Sequence, residues 1–169
     1  MYLLETERMK LRELTMDDVD NLMEIFSDPI AMRYYPSTFP REGAVKWVEL
    51  NQSFYRDCGA GLWACELKET GAFVGQCGII PQTVDGQPEM EIGYLFVREY
   101  WGRGLATEAA AAVRDYGFSV MGLKRMVATI YHTNAPSMKV AERIGMTFEK
   151  RTFVGKSDDV IYAISRPQA

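Results

Sequence analysis

The chain has 169 residues, 47% of them hydrophobic and 25% charged. That is the balance of one globular domain, expected over residues 1–169, with enough apolar mass for an ordinary core. A formal charge of -4 argues against a broad nucleic-acid-binding face, which would be basic, and no apolar run is long enough for a membrane span. Met1 to Arg12 is interrupted by Glu5, Glu7, Arg8 and Lys10 and lacks the apolar centre of a secretory signal, so a cytoplasmic location is expected. Cys58, Cys65 and Cys77 are odd in number and lack metal-ligand spacing. Reduced, packed thiols are expected, with neither a disulfide nor a metal site.

Glu5 to Leu14 alternates charged with apolar residues, the pattern of one half-buried strand. Thr15, with Asp18 three residues on, caps a helix carrying Val19, Leu22, Met23 and Phe26 on one face, and Asp28-Pro29 closes it. Met32 to Pro40 is aromatic and proline-punctuated, either a packed connector or a wall of a substrate pocket. Ala44, Trp47, Val48, Asn51 and Tyr55 give a second helix that ends before Gly59. Three strands follow in hairpin succession, Leu62 to Lys68, Phe73 to Gln82 and Glu89 to Val97, separated by Glu69-Thr70-Gly71 and Asp85-Gly86. A third helix, Leu105 to Val120, turns Ala106, Ala109, Ala110, Val113, Gly117 and Val120 to one side. Its crossover makes the next strand, Lys124 to Tyr131, parallel to Glu89 to Val97. Asn134 caps a fourth helix with Val140, Ala141 and Ile144 inward, and Thr147 to Val154 and Asp159 to Ser165 form a closing hairpin around Gly155. The fold class is α+β with a mixed, mostly antiparallel sheet and about four helices.

The organising stretch is Tyr94 to Glu108 (YLFVREYWGRGLATE). A strand delivers a glycine turn to a helix start, where unpaired amides and the helix dipole favour an anion. Gly102-Arg103-Gly104 alone is compatible with a plain tight turn, having too few glycines for a dinucleotide fingerprint and no Gly-Lys-Ser/Thr end. Thr107 adds a hydroxyl in the first turn, and Arg103 adds a cation. Asn134 and Ser137 begin another helix at the end of the neighbouring parallel strand. Two helix starts opening side by side at one sheet edge point to a phosphorylated ligand.

Thr6-Glu7-Arg8-Met9-Lys10-Leu11-Arg12, Glu91-Ile92-Gly93-Tyr94, Tyr100-Trp101-Gly102-Arg103-Gly104-Leu105-Ala106-Thr107-Glu108-Ala109, Asn134-Ala135-Pro136-Ser137 and Gly145-Met146 occur in this order. Together they resemble the GNAT acyl-CoA N-acyltransferases, and within them the RimJ/RimL-like branch. The resemblance implies a sheet whose central parallel strands splay to admit the pantetheine arm of acetyl-CoA. It implies that backbone groups of Leu95, Phe96 and Val97 pair with that arm. Amides from Gly102 through Arg103, Gly104, Leu105 and Ala106 to Thr107 would hold the pyrophosphate, and Asn134 would bond the pantetheine while capping its helix. Trp101 stands where the family commonly has Gln or Arg, Ala141 where some branches place a tyrosine acid, and Lys156 where some RimL-like members have a glutamate.

Acyl transfer from a thioester to an amine needs a neutral amine, stabilisation of the oxyanion and a proton or positive field for the departing thiolate. An α-amine, titrating near ~8, asks less of an enzyme than a lysine near ~10.4. Glu91, on the strand entering the loop with Gly93, Leu95 and Val97 on the same face, is either an exposed strand carboxylate or the general base. His132, the one histidine, ranks second as base. Ser137, in a first helical turn, is the candidate acid, and the amide of Val97 or Phe96 the candidate oxyanion donor. With no cysteine in the motifs, the resemblance implies direct attack in a ternary complex. The expected acceptor is a primary amine, a protein N-terminus of RimJ/RimL type or a small molecule, and a homodimer is left open. The alternative from another class is a non-catalytic acyl-CoA-binding sensor or assembly subunit.

Overall fold

Turn chemistry sets most element boundaries in the computed structural model, which describes residues 1–168. In chain order the elements are β1 (Tyr2–Glu5), β2 (Met9–Glu13), α1 (Val19–Phe26), α2 (Arg41–Cys58), β3 (Leu62–Leu67) and β4 (Phe73–Val84). Then come β5 (Gln87–Phe96), α3 (Leu105–Ser119), β6 (Arg125–Tyr131), α4 (Ala135–Arg143), β7 (Thr147–Val154) and β8 (Ser157–Ser165). The eight strands form one sheet in the order β1-β2-β3-β4-β5-β6-β8-β7. All neighbours are antiparallel except β5 and β6, whose parallel pairing has a single registered pair, Glu91 with Val127. Beyond that pair the two strands part. Among the described residues no helix is long and apolar enough to cross a membrane.

Three of the differences from the expected boundaries have a physical cause in the structure. Glu5 to Leu14 is not one strand: the chain turns at Thr6 to Arg8, making β1 and β2 a hairpin. The cause is long-range, because Glu108 of α3 accepts from the Thr6 hydroxyl at 2.6 Å and the Arg8 amide at 2.9 Å. The strands β4 and β5 run right up to their two-residue turn, where Asp85 and Gly86 both have positive φ, as a primed hairpin turn requires. Helix α3 ends at Ser119, so Val120, expected inward, is 66% exposed.

The alternation of β5 decides what lies on each side of the gap. Ile92 and Phe96 join the core under α3, with Ile79 and Met126, whereas Leu95 and Val97 pack toward α1 and α2 with Phe26, Ala44, Val48 and Phe73. Each large apolar side chain buried here stabilises the fold by about 1.5–3 kcal/mol. Gly117 lets α3 lie close to the sheet, since a Cβ there would come 2.5 Å from the Met126 sulfur. Fully buried Asn51 ties α2 to β3, donating to the Trp47 carbonyl at 2.9 Å and accepting from the Leu62 amide at 2.8 Å.

Candidate active site

Where β5 and β6 part, a cavity of about 500 Å³ runs from Tyr34 and Tyr35 past Tyr94 and Phe96 to the starts of α3 and α4. The start of α3 is open. Its first backbone bond joins the Glu108 amide to the Gly104 carbonyl at 3.0 Å, which leaves the amides of Leu105, Ala106 and Thr107 without a protein acceptor among the described residues. Gly102 (φ 78) and Gly104 (φ 76) hold the left-handed conformations that shape the turn. The turn is braced from β2, since Arg8 donates to the Arg103 carbonyl at 2.9 Å while its Nε pairs with Glu108 at 2.8 Å. The Arg103 side chain lies 5.3 Å above the Tyr100 ring and is not part of the cavity lining. The cations that do line it are Arg33, Lys139 and Arg143, none of which the sequence reading singled out.

The start of α4 is closed, contrary to the expectation of two open helix starts. Ala135 donates to the Thr133 carbonyl at 2.9 Å, Pro136 has no N–H, and Ser137 donates its amide to Asn134 Oδ1 at 3.2 Å. Asn134 therefore caps through its oxygen, and its Nδ2 has no protein acceptor among the described residues, in a residue that lines the cavity. The Ser137 hydroxyl donates to Tyr94 Oη at 3.1 Å, and Tyr94 in turn donates to the Ser137 carbonyl at 2.7 Å. Ala141 is fully buried, so the tyrosine hydroxyl at this helix start comes from β5 instead. Tyr94 belongs to the motifs of the sequence, but its register opposite Ser137 is a tertiary fact.

The three strand residues expected to meet the pantetheine divide. Val97 donates its amide to the Val74 carbonyl at 2.9 Å and accepts from Tyr100 at 2.9 Å, so both its backbone groups are engaged. By the alternation of an antiparallel ladder, Leu95 also turns its backbone to β4, and the backbone groups of Tyr94 and Phe96 face the gap. The Phe96 carbonyl accepts from the Trp101 indole at 2.9 Å. Of the two amides named for the oxyanion, the Phe96 amide is the one directed into the gap.

Glu91 is 9% exposed, not an exposed strand carboxylate. Its Oε2 accepts from the Thr129 hydroxyl at 2.7 Å and from Gln82 at 3.4 Å. Burial pushes its carboxyl up to about 7, against the two hydrogen bonds and with the help of Asp159's charge. Asp159, which the sequence reading did not single out, is 6% exposed and meets only Ser157. It is opposite Tyr131 in the β6–β8 ladder, and burial raises its carboxyl too. Neither acid pairs with a Lys or Arg among the described residues. The Tyr35 ring is half-exposed, but its phenol is enclosed and is pushed up to about 12 by burial and by the charges of Glu91 and Asp159. Tyr34 lies over Tyr131 at 6.4 Å. His132 neighbours Asp159 but is bonded to Asp158, its Nδ1 3.0 Å from the Asp158 carbonyl and its amide bonded to the same oxygen.

Open helix amides, three cations with no carboxylate partner among the described residues and a strand gap with backbone groups turned into it suit a long, anionic thioester of the coenzyme A kind. Residues 8–147 match the acetyltransferase (GNAT) domain family. The chain is 43% identical to the uncharacterized Bacillus subtilis protein YkkB, over 87% of this chain and 86% of that one. It is 33% identical to the uncharacterized N-acetyltransferase YnaD of the same organism, over 86% and 83% of the two chains. The crystal structure of an acetyltransferase from Agrobacterium tumefaciens superposes with a TM-score of 0.85 at 28% identity, covering 98% of each chain. The chain belongs to the GNAT acetyltransferase family and is an acyl-CoA-dependent N-acetyltransferase whose donor is acetyl-CoA.

Proposed function

We propose that the enzyme acetylates a small, positively charged primary amine by direct attack in a ternary complex, with Glu91 as general base. The observation that carries the reading is Glu91 itself, a buried carboxylate pushed up to about 7 with no Lys or Arg partner among the described residues, at the point where β5 and β6 part and just outside the residues that line the cavity. A general base works best when its pKa lies near the working pH. A module that only bound acyl-CoA would have no use for such a group.

Acetyl-CoA, when bound, supplies an acetyl thioester. The amides of Leu105 to Thr107 would hold its diphosphate, and Asn134 Nδ2 with the backbone of Tyr94 and Phe96 would hold its pantetheine arm. Glu91 takes the proton of the incoming ammonium, directly or through a water. The Phe96 amide faces the negative charge that develops on the acyl oxygen. As the C–S bond breaks, Ser137 would turn its hydroxyl from Tyr94 to the departing thiolate sulfur and give it a proton, which is replaced by the one that the newly acylated nitrogen releases. A covalent acetyl-cysteine route has no support: Cys65 and Cys77 are buried with thiols pushed up, and Cys58 is exposed at the end of α2.

Two features favour a small cationic acceptor over a protein N-terminus of RimJ/RimL type. Glu91 and Asp159 are two buried carboxylates with no Lys or Arg partner among the described residues, an arrangement that an ammonium-rich ligand would relieve. Tyr131 stands opposite Asp159 with Tyr34 beside its ring, and the Tyr35 phenol feels the charge of both acids, rings suited to cations. The test is thiol release from acetyl-CoA with a monoamine, a diamine of similar length and an N-terminal peptide. The expected order of kcat/KM puts the diamine first. A peptide preferred over both amines would move the acceptor to protein N-termini, and turnover of none, with coenzyme A binding intact, would leave a sensor.

A further inference from the structure

The charge of the cavity lining opposes the charge of the chain. Against a formal charge of -4, the lining holds three cations, Arg33, Lys139 and Arg143, and no carboxylate. Lys139 and Arg143 are four residues apart on α4, neighbours on one helix face separated by about 6 Å along the axis. Neither has a carboxylate partner among the described residues. The single acid of α4, Glu142, meets the Tyr162 hydroxyl at 3.2 Å instead. Across the groove α3 contributes Leu105, Ala106 and Thr107; Leu105 is turned into the core, and the other two are small side chains that leave room beside the two cations.

The open amides of α3 account for one diphosphate and no more, because Glu108 already closes the first turn onto Gly104. Coenzyme A carries a further phosphate, a monoester on the ribose 3′-oxygen, with a charge of about -1.5 to -2 at neutral pH. An ammonium and a guanidinium one turn apart match such a group, the first as a point charge and the second as a fork of donors. Arg33, by contrast, lies 4.9 Å over the Tyr34 ring and belongs to the other wall.

We propose that Lys139 and Arg143 form a phosphomonoester site in the α3–α4 groove that reads the 3′-phosphate of coenzyme A, so that the enzyme distinguishes coenzyme A from its 3′-dephospho form. The site rests on acetyl-CoA as donor and is independent of the roles given to Glu91 and Ser137.

The experiment is calorimetric titration of the full chain with coenzyme A and with 3′-dephospho-coenzyme A. The wild type is expected to bind coenzyme A at least tenfold more tightly. In the double variant Lys139→Gln, Arg143→Gln, which removes the charges and keeps helix propensity, the two ligands should bind alike, with dephospho-coenzyme A affinity within about twofold of wild type. Each single variant should give an intermediate ratio, and circular dichroism checks the fold. Gly104→Val should weaken both ligands together and preserve their ratio. Equal binding of the two ligands by the wild type, or an unchanged ratio in the double variant, overturns the site while leaving the donor assignment standing. Binding of neither ligand by the wild type would overturn both.

Discussion

Replacing Glu91 by glutamine should make the protein more stable and nearly inactive at pH 8. The carboxyl titrates at about 7 in the folded chain against 4.5 in its ordinary environment. Between those values the folded state keeps a proton that the unfolded state has lost. Stability is therefore fully present below about pH 4.5 and is lost as pH rises through 7. The difference corresponds to on the order of 3 kcal/mol above pH 7, an upper figure because Thr129 and Gln82 remain as partners for either side chain. Glutamine removes the charge and keeps the shape, so a gain of several degrees in Tm is expected at pH 8 and almost none at pH 5. The same variant loses the base, and kcat/KM should fall by about 10²–10⁴. In the wild type kcat/KM should rise with pH to a plateau just above 7, roughly tenfold between pH 6 and the plateau. Melting curves at the two pH values, with thiol release from acetyl-CoA across the range, make both measurements. A variant that melts earlier at pH 8 would show that Glu91 is not an unpaired buried charge, and one that keeps activity within threefold of wild type would show that it is not the base.

Three further variants probe separate parts of the account. Gly104→Val forces a β-branched residue into φ 76 at the mouth of the anion site, and coenzyme A affinity measured by calorimetry should fall more than tenfold with the secondary structure retained. Tyr94→Phe removes the hydroxyl that joins Ser137 in two hydrogen bonds; kcat should drop by about tenfold with little change in KM for acetyl-CoA, and an unchanged kcat would exclude the pair from proton delivery. Asn51→Ala strands the buried Leu62 amide and should cost about 1–3 kcal/mol of stability by urea unfolding, with kcat unaltered because the residue is remote from the cavity.

How much of this was readable in the sequence follows the range of the interactions involved. The strand, glycine turn and helix from Tyr94 to Glu108 were legible because each signal is local: apolar alternation, Gly102 and Gly104 in positive-φ positions, alanines at helical spacing. So was the capping box of Thr15 and Asp18, which forms as expected. The turn at Thr6 to Arg8 was not, since Glu108 makes it from about a hundred positions away. Arg103 looked like the phosphate cation by position, but the nearby Tyr100 ring takes its side chain, and the cavity draws its cations from α4 and the connector before α2. Asp159 escaped notice because only the β6–β8 register places it opposite Tyr131 and within reach of Glu91's field. It lies three residues past Lys156, the position at which the resemblance implies a glutamate in some RimL-like members. The closed start of α4 is a lesson of the same kind. Asn134 signals a cap in any sequence, and a cap that works leaves the helix fewer free donors for a ligand.

The central claim is that the parting of β5 from β6 receives the donor thioester between Glu91 on one face and Ser137 on the other. A crystal structure with coenzyme A bound tests it most directly. The account expects the diphosphate on the amides of Leu105 to Thr107, the pantetheine along Tyr94 and Phe96, and the sulfur near Ser137. Coenzyme A seated elsewhere, or a diphosphate with no contact to those three amides, would contradict it.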